Sequence, residues 1–301
     1  MNLLEESTRR TLLADGAMGT QLQQAGLEPG GCGEAWNLDA PERVLAIQRR
    51  YVAAGSDLLL TNTFGASRVM LERYGHEDRL ARINAAAVRI AREAFGERPG
   101  FVVGDIGPFG GLLEPLGDVS VERVRAAFRE QASALVDAGA DAILIETQTA
   151  LEELELGIEA ARAAGARVLI GSLAFDRTFD GEDARTMMGV APEQAAEFLV
   201  ERGVDVVGLN CGTGIDLSMA ADVVTRYRSV CDRPLWVKPN AGQPVLENLQ
   251  VVYKETPDEM ASGLARLLEL GVAVVGGCCG STPDHIRRFR EELDSTQGAR
   301  A

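Results

Sequence analysis

Short apolar runs recur along the chain, and each is followed by a turn and by a segment whose apolar residues have helical spacing. Most runs are nearly continuous, as at residues 58–60 and 142–145, which is typical of strands buried on both faces of a parallel sheet. Eight strands are predicted, at residues 11–14, 57–61, 101–104, 142–145, 168–172, 205–209, 235–238 and 273–276. Their alternation with helices predicts the α/β class.

The segments between the predicted strands have the pattern of amphipathic helices. In residues 41–54 and 120–137, mostly apolar residues recur at intervals of three and four. This spacing gives each helix one face that can pack against a hydrophobic core. In the first segment this face comprises Val44, Ile47, Gln48 and Tyr51. Ser120 is a predicted N-cap, and three prolines are expected in first helical turns: Pro192, Pro257 and Pro283.

Three similar phrases, at residues 53–57, 137–141 and 201–205, join a helix to the next strand. In each, a glycine at the predicted helix C-terminus precedes an aspartate that opens the strand. Eight such strand and helix units predict a single (β/α)8 TIM barrel over residues 1–301. The alternative is an open doubly wound sheet, but the glycine fingerprint expected after its first strand is absent.

Polar residues gather at the carboxyl ends of the predicted strands, where barrels of this kind carry their chemistry. These ends hold Asp15, Thr61, Asn62, Thr63, Asp105, Glu146, Thr147, Ser172, Asn210, Cys211, Asn240, Cys278 and Cys279. Cys211 follows the sixth strand, and Cys278 and Cys279 follow the eighth. Because alternate strands contribute side chains to one layer of a barrel, the three thiols are expected to converge.

Three converging thiols beside an open pocket suit Zn²⁺, which prefers sulfur ligands in a tetrahedron. A closed structural site needs a fourth protein ligand, and Cys231 or Cys32 is available. Cys231 precedes the seventh strand and is therefore expected at the opposite end of the barrel. Three protein ligands with an open fourth position fit better. The alternative is an inert buried Cys278-Cys279 pair or a vicinal disulfide, but the flanking glycines let consecutive side chains face one ion.

Composition excludes several partners. Thirty Lys and Arg residues against 45 Asp and Glu residues give a net charge of -15, so nucleic acid and anionic lipid would repel the chain. No apolar stretch approaches the roughly 20 residues that cross a bilayer, and residues 1–13 lack the apolar core of a secretory signal. Five cysteines, an odd number, are too few for a disulfide framework and indicate a cytoplasmic protein.

Five phrases, in order along nearly the whole chain, resemble the zinc-dependent homocysteine S-methyltransferases. They are Asp-Gly-Ala-Met-Gly-Thr at 15–20, Thr-Asn-Thr-Phe-Gly-Ala at 61–66, Gly-Leu-Asn-Cys-Gly at 208–212, Lys-Pro-Asn-Ala-Gly at 238–242 and Gly-Gly-Cys-Cys-Gly at 276–280. The resemblance implies a (β/α)8 barrel in which Cys211, Cys278 and Cys279 hold Zn²⁺. It also implies transfer of a methyl group to the thiol of homocysteine, which gives methionine.

The resemblance further implies that Asp15 and Glu146 take up the amino end of the substrate. Backbone N–H groups near Ala17 and Met18 would meet its carboxylate. From the residues alone, Asp15 is equally a helix N-cap and Glu146 equally a strand-end salt bridge. Asn240 lies between the two cysteine-bearing strands, where it is expected to contact the substrate site or, without a substrate thiol, the zinc. Its alternative role is an Asx turn.

The methyl donor is expected to be a small onium compound or a methyl-corrinoid on a separate protein. The first two phrases resemble the methionine synthase module, yet the 301 residues hold no folate or cobalamin domain, which favours the onium donor. An acidic mouth would attract such a cation through Asp105, Glu114 and Glu146. Its predicted aromatic partners are Phe64, Phe109 and Phe175.

Two other function classes stay open. One is a structural or redox zinc protein with a closed site. The other is a lyase in which Lys238 forms a Schiff base with a carbonyl substrate, although the cysteines then have no role. His76 and His285 are expected to be solvated. The sequence leaves the oligomeric state open, a homo-oligomer included.

Overall fold

Eight parallel strands curl into a nearly closed barrel in the computed structural model, which describes residues 2–247 and 250–298. The strands are β1 (Leu12–Leu13), β2 (Leu58–Leu60), β3 (Phe101–Ile106), β4 (Ala142–Gln148), β5 (Leu169–Leu173), β6 (Val206–Asn210), β7 (Leu235–Lys238) and β8 (Val274–Val275). They pair in the order β1-β8-β7-β6-β5-β4-β3-β2. Every predicted strand overlaps an observed one, and the (β/α)8 barrel is confirmed.

Both faces of the barrel strands are buried, which explains their continuous apolar runs. Leu58 and Leu60 belong to a hydrophobic cluster inside the barrel together with residues of the other strands. Leu59, between them, belongs to the larger cluster that joins the strands to the surrounding helices. Because successive side chains of a strand point to opposite faces, both sets are buried, and polar residues enter only toward the carboxyl ends of the strands.

Helices surround the barrel; one precedes the first strand, one follows the last, and the others lie between successive strands. They are Leu3–Ser7, Gly19–Gln24, Trp36–Asp39, Pro41–Ala53, Arg68–Glu72, Leu80–Phe95, Val121–Asp137, Leu151–Ala163, Pro192–Glu201, Leu217–Val230, Pro257–Ser262, Leu264–Glu269 and Pro283–Gly298, with a 3-10 turn at Glu77–Arg79. The predicted core face of the helix Pro41–Ala53 is buried. Ser120 caps the helix Val121–Asp137 by accepting the Arg123 N–H at 3.3 Å.

The three repeated phrases place three aspartates in equivalent positions at the amino ends of strands. The N–H of each Asp donates to a carbonyl of the neighbouring strand, and its carboxylate accepts that same residue's N–H. The pairs are Asp57 with Leu13, Asp141 with Val102 and Asp205 with Leu169. The first pair joins β2 to β1, the two strands at the ends of the sheet order. Asp57 therefore helps to close the barrel.

Two antiparallel hairpins extend from the carboxyl ends of barrel strands. One pairs Asp176–Arg177 with Ala184–Arg185 after β5, and the other pairs Val245–Glu247 with Gln250–Val252 after β7. Both are loops of the face where the polar strand ends gather. Within residues 2–247 and 250–298, no helix has the length and apolar character that crossing a membrane requires.

His285 does not lie in solvent, contrary to the sequence-based expectation. It is buried, its Nδ1 accepts the Thr282 N–H at 3.1 Å, and its Nε2 lies 2.9 Å from the Glu255 carbonyl oxygen. The ring caps the first turn of the helix Pro283–Gly298 and ties it to the loop before the helix Pro257–Ser262. A helical pattern marks this position as polar but does not show that a neighbouring loop covers it.

Candidate functional site

Three thiols converge at the carboxyl ends of β6 and β8. The Sγ atoms of Cys211, Cys278 and Cys279 all lie within 4.8 Å of one another, and all three side chains are half-buried. Cys231 lies before β7, at the other end of the barrel, where its Sγ accepts the Arg233 N–H. Cys32 lies in a separate small hydrophobic cluster. The convergence expected from the strand order is therefore present, and the two remaining cysteines are elsewhere.

The loops that carry the thiols are tied together by backbone hydrogen bonds. The Cys211 N–H donates to the Lys238 carbonyl at 3.1 Å, and the Cys278 N–H donates to the Pro239 carbonyl at 2.7 Å. Cys211 has φ +58°, a left-handed conformation that is unfavourable for a residue with a side chain. Gly212 follows at φ +90°, and a Cβ there would lie 1.8 Å from the Phe175 carbonyl oxygen. This position therefore requires glycine.

The three thiols form one hydrogen-bonded group. Hydrogen bonds from Cys278 and Cys279 to the Cys211 sulfur lower the pKa of Cys211 to about 3. The same contacts raise the pKa of Cys278 well above its usual value and that of Cys279 to about 12. These hydrogen bonds therefore stabilise a single negative charge, on the Cys211 sulfur, while Cys278 and Cys279 keep their protons. Tetrahedral zinc with Zn–S bonds of about 2.3 Å places sulfur atoms about 3.8 Å apart, so the donor set fits Zn²⁺.

Asn210 braces the cysteine cluster from the sixth strand. Its Oδ1 accepts from the Thr147 N–H at 3.0 Å and from the Ser172 hydroxyl at 2.6 Å, and its Nδ2 donates to the Thr147 hydroxyl at 2.7 Å. Thr147, like Cys211, has φ +58°. Asn210 was placed at a strand end by sequence, but no role was assigned to it. Its position directly before Cys211 in the sequence was the feature that could have indicated this role.

Tyr253 is a second residue that the sequence did not reveal. Its side chain hydrogen-bonds Cys279, and burial together with the charge of that thiol raises the pKa of the Tyr253 hydroxyl. The Tyr253 ring packs directly on Gly280, where a Cβ would meet it at 2.2 Å. Tyr253 follows the hairpin after β7, so that hairpin is connected to the cysteine cluster.

The cysteines open into a cavity of about 350 Å³ at the carboxyl face of the barrel. Its wall includes the loop from Asp15 to Thr20, the residues from Thr61 to Phe64, and the side chains of Asp105, Glu146 and Lys238. A cavity of this size suits a small metabolite. Asn240 does not line it, because its Nδ2 donates to the Gly212 carbonyl at 2.9 Å and its side chain hydrogen-bonds Cys211. Asn240 thus contacts the thiol cluster directly.

Asp15 and Lys238 form a buried ion pair in the cavity wall. Their side chains are each 3% exposed, and Lys238 Nζ lies 2.7 Å from Asp15 Oδ1. Asp15 Oδ2 accepts the Leu60 N–H at 2.9 Å. Burial alone would lower the pKa of Lys238, but the charges of Asp15 and Glu146 outweigh it and raise the pKa. The ammonium therefore stays protonated, which argues against Lys238 as a Schiff-base nucleophile.

Asp105 and Glu146 are two further buried carboxyls on the same cavity. Burial raises the pKa of Glu146 to about 7, and burial together with the charge of Glu146 raises the pKa of Asp105 well above its usual range. The two carboxyls hydrogen-bond each other, which requires a shared proton. A cation that enters the cavity would stabilise the charged forms of both.

The backbone amides and the aromatic side chains expected at the cavity differ in their surroundings. The Ala17 N–H donates to Ser281 Oγ at 3.1 Å, so it does not point into the cavity as a carboxylate donor. Met18 lines the cavity at the start of the helix Gly19–Gln24. Phe109 and Phe175 are each 1% exposed and pack in the core. Both rings are buried and do not face the mouth of the cavity. Phe64 is 39% exposed there.

Comparison with known proteins finds one family along most of the chain. The model of the family described as Homocysteine S-methyltransferase matches residues 12–293. Methionine synthases of Mycobacterium leprae (strain TN) and Mycobacterium tuberculosis (strain ATCC 25618 / H37Rv) are each 36% identical over 95% of this chain. The chain spans only 24% and 25% of their lengths.

Among solved structures, the metallated form of the homocysteine methyltransferase MmuM from Escherichia coli is similar in fold. It has a TM-score of 0.79 and 24% identity, with 96% of this chain and 99% of that chain covered. The oxidized form of the same protein gives a TM-score of 0.77.

Proposed function

Because the chain belongs to the homocysteine S-methyltransferase family, we propose that it transfers a methyl group to the thiol of homocysteine and releases methionine. The observation that carries this proposal is the cluster of Cys211, Cys278 and Cys279, whose sulfur atoms lie within 4.8 Å of one another beside a cavity of about 350 Å³. A small thiol that enters the cavity meets this cluster at one end and buried carboxyls at the other.

Cys211, Cys278 and Cys279 would hold Zn²⁺, with Asn240 and Tyr253 hydrogen-bonded to two of the three thiols. When bound there, zinc would supply the positive charge that keeps a substrate thiol deprotonated near neutral pH. Three cysteinates leave the ion only weakly electron-withdrawing, so a neighbouring thiolate keeps its nucleophilicity. Glu146 would hold the ammonium group of homocysteine, with Asp15 close by. The Met18 amide would face its carboxylate.

The methyl transfer itself requires alignment rather than acid–base work by the chain. The electron pair of the homocysteine sulfur forms the new S–C bond. At the same time the bond from the methyl carbon to the donor breaks, and the leaving group keeps the electron pair of that broken bond. The reacting atoms must lie in line at about 3–3.5 Å. The cavity wall orients the amino acid, and the donor must approach from the open mouth of the barrel.

We propose a methyl-corrinoid carried by a protein module as the donor. Large apolar side chains are exposed on the loops of the carboxyl face, which is typical of a surface for a macromolecule. They are Leu112, Leu116, Phe179, Met187, Met188, Val245 and Leu246. Two exposed aromatic side chains at the cavity, Phe64 and Tyr74, favour the second candidate, a small onium donor.

Donor assays test this function. Zinc-loaded protein is incubated with homocysteine and with methylcobalamin, S-methylmethionine, S-adenosylmethionine or betaine, and methionine is measured. We expect methionine from methylcobalamin. Cys279→Ser should abolish it, and Cys231→Ser, a matched change at the far end of the barrel, should not. Methionine from an onium compound alone would contradict the proposed donor. No methionine from any of the four would contradict the proposed function.

A further inference from the structure

We propose that Asn210 is a positioning residue that holds the carboxyl ends of β4 and β6 in one fixed arrangement, and that zinc retention depends on it. This inference rests on the proposed function, since the thiols that Asn210 positions are those that would hold the zinc. It assigns a task to a side chain that neither lines the cavity nor belongs to the cluster of three cysteines.

Two residues other than glycine have a left-handed backbone in the described part of the chain, and both lie at this site. Thr147 and Cys211 each have φ +58°. Such a conformation is unfavourable for any residue with a Cβ, and more so for a β-branched threonine. It persists only where surrounding contacts impose it. Asn210 hydrogen-bonds the first of these two residues and directly precedes the second.

The Asn210 amide takes up both polar groups of Thr147. Its Oδ1 accepts the Thr147 N–H at 3.0 Å, and its Nδ2 donates to the Thr147 hydroxyl at 2.7 Å. Because these two bonds join one amide to the backbone and to the side chain of one residue, they fix the turn at Thr147. This turn lies within the register shift between β4 and β5, so the amide also holds the end of β4 against β6.

The rest of the amide's hydrogen-bonding capacity is directed at β5 and at the cysteine loop. Asn210 Oδ1 also accepts the Ser172 hydroxyl at 2.6 Å, and Nδ2 lies 4.0 Å from Cys278 Sγ. Gly208, two residues earlier on β6, leaves room for Ser172, because a Cβ there would lie 3.0 Å from the Ser172 Cβ. An asparagine amide offers two acceptor and two donor positions, and all four are used within this site.

Loss of the amide would disturb the thiols through these contacts. Asn210 is fully buried, and a shorter side chain would leave the Thr147 N–H and the Ser172 hydroxyl without their acceptor, which costs free energy. The backbone at Thr147 and Cys211 would then be free to leave the left-handed region, and the Cys211 sulfur would move away from its two partners. Contacts behind the ligands of a metal site orient those ligands and set its affinity.

The experiment measures the zinc affinity of purified protein by competition with a chelator. Asn210→Ala should weaken zinc binding by roughly ten- to a hundredfold. Asn84→Ala is the matched control, because Asn84 is also fully buried but donates to the Ala66 and Leu80 carbonyls. It should keep the zinc affinity of the unaltered protein. Ser172→Ala, a smaller change that removes one donor to Asn210, should weaken zinc binding by roughly two- to fivefold.

Two further measurements separate positioning from a general loss of stability. Thermal unfolding of the zinc-free proteins shows how much each asparagine contributes to the fold. Cobalt(II) in place of zinc gives visible absorption bands that report a tetrahedral thiolate site. These bands should change in Asn210→Ala and stay as in the unaltered protein in Asn84→Ala, even where both variants unfold at the same lower temperature.

The outcomes also separate this inference from the proposed function. Equal zinc affinity in Asn210→Ala and the unaltered protein, or an equal loss in Asn210→Ala and Asn84→Ala, would overturn the role of Asn210. If Asn210→Ala does not fold, an unchanged zinc affinity in Ser172→Ala overturns it. Unaltered protein that binds zinc but forms no methionine contradicts the function alone, since the zinc affinities still decide the role of Asn210. Unaltered protein that binds no zinc contradicts both.

Discussion

Cys211 occupies a strained backbone conformation at the centre of the proposed metal site. A left-handed φ for such a residue costs on the order of 1–3 kcal/mol, and Cys211 has φ +58°. The surrounding contacts hold it there, through the Lys238 carbonyl on one side and the Asn210 network on the other. The consequence is that the Cys211 side chain turns toward Cys278 and Cys279. The strain is therefore part of what assembles the three sulfur atoms.

Zinc content of single variants tests this residue set. Cys211→Ser, Cys278→Ser and Cys279→Ser should each lose most of the zinc, because a hydroxyl is a poor replacement for a thiolate ligand. Cys231→Ser should retain about one zinc per chain, since Cys231 lies at the opposite end of the barrel. Elemental analysis of the purified proteins gives the measurement. Full zinc in Cys211→Ser, or its loss in Cys231→Ser, would show that the ligand set is wrong.

At the residue scale the sequence predicts where a side chain lies in the fold better than it predicts which group that side chain or its amide hydrogen-bonds. The strand order was enough to bring Cys211 and Cys278 together. The same argument about alternate strands applies to β1 and β7, so the Asp15 and Lys238 pair was within reach of sequence reasoning. The hydrogen bond from the Ala17 N–H to Ser281 could not be predicted. A motif at a helix start does not show that its N–H donates to a hydroxyl 264 residues away in the sequence. Hydrogen-bond partners depend on the tertiary packing of loops.

Asp57, Asp141 and Asp205 occupy the same position of one repeated sequence element, but their exposure and ion pairs differ. All three make the same pair of backbone contacts, but their surroundings differ. Asp57 is 12% exposed and receives Arg10 at 2.9 Å and Arg290 at 2.6 Å. Asp141 is 29% exposed and, within the described residues, pairs with Arg92 alone, which is itself 46% exposed. The element that joins the two end strands of the sheet therefore carries the most buried charge pairs.

Asp57→Asn is expected to destabilise the protein by about 2–3 kcal/mol at pH 7, since it leaves two arginines facing one another. Asp141→Asn is the matched control and should cost less than about 1 kcal/mol because its pair is exposed. Burial raises the pKa of Asp57, but Arg10 and Arg290 outweigh it and the pKa is lowered. A lowered pKa contributes stability above the unfolded value near 3.8 that is lost as pH falls through the folded pKa.

Chemical denaturation of both variants across pH measures this effect. The difference in unfolding free energy between the unaltered protein and Asp57→Asn should be largest near neutral pH and shrink as the pH falls below about 3.8. Equal losses for Asp57→Asn and Asp141→Asn would contradict the role of Asp57 in closing the barrel. A difference that stays constant into acid would contradict the charge pairs as its cause.

Element boundaries were less predictable than element types. The fourth strand was expected to end at residue 145, but β4 continues to Gln148 because its pairing with β5 resumes after a register shift. That extension carries Glu146 and Thr147 to the cavity. Apolar periodicity stops where polar residues begin, so it cannot show that a strand continues through them. The residues that matter for chemistry lie in the part of the strand that the pattern does not mark.

The molecule as a whole has a net charge of -15 and exposes large apolar side chains on the loops at the carboxyl face of its barrel. These side chains, which include Phe179, Met187 and Leu246, are called the apolar rim. The barrel could be predicted because eight similar units leave few other ways to bury strands on both faces. The apolar rim could not be predicted, because Phe179 and Leu246 lie in hairpins, and Met187 in the turn after one of them, whose sequences look like ordinary loops. The aromatic set proposed for a small cation was wrong at Phe109 and Phe175 for the same reason. Exposure of a loop residue is decided by the packing of other loops.

X-ray absorption at the zinc edge tests the central claim most directly, since it does not depend on the methyl donor. Zinc-loaded protein should show three sulfur ligands and one lighter ligand, matching Cys211, Cys278 and Cys279. Adding homocysteine should raise the count to four sulfurs at about 2.3 Å. Four sulfurs before homocysteine is added, or a count that stays at three afterwards, would contradict binding of the substrate thiol at this site.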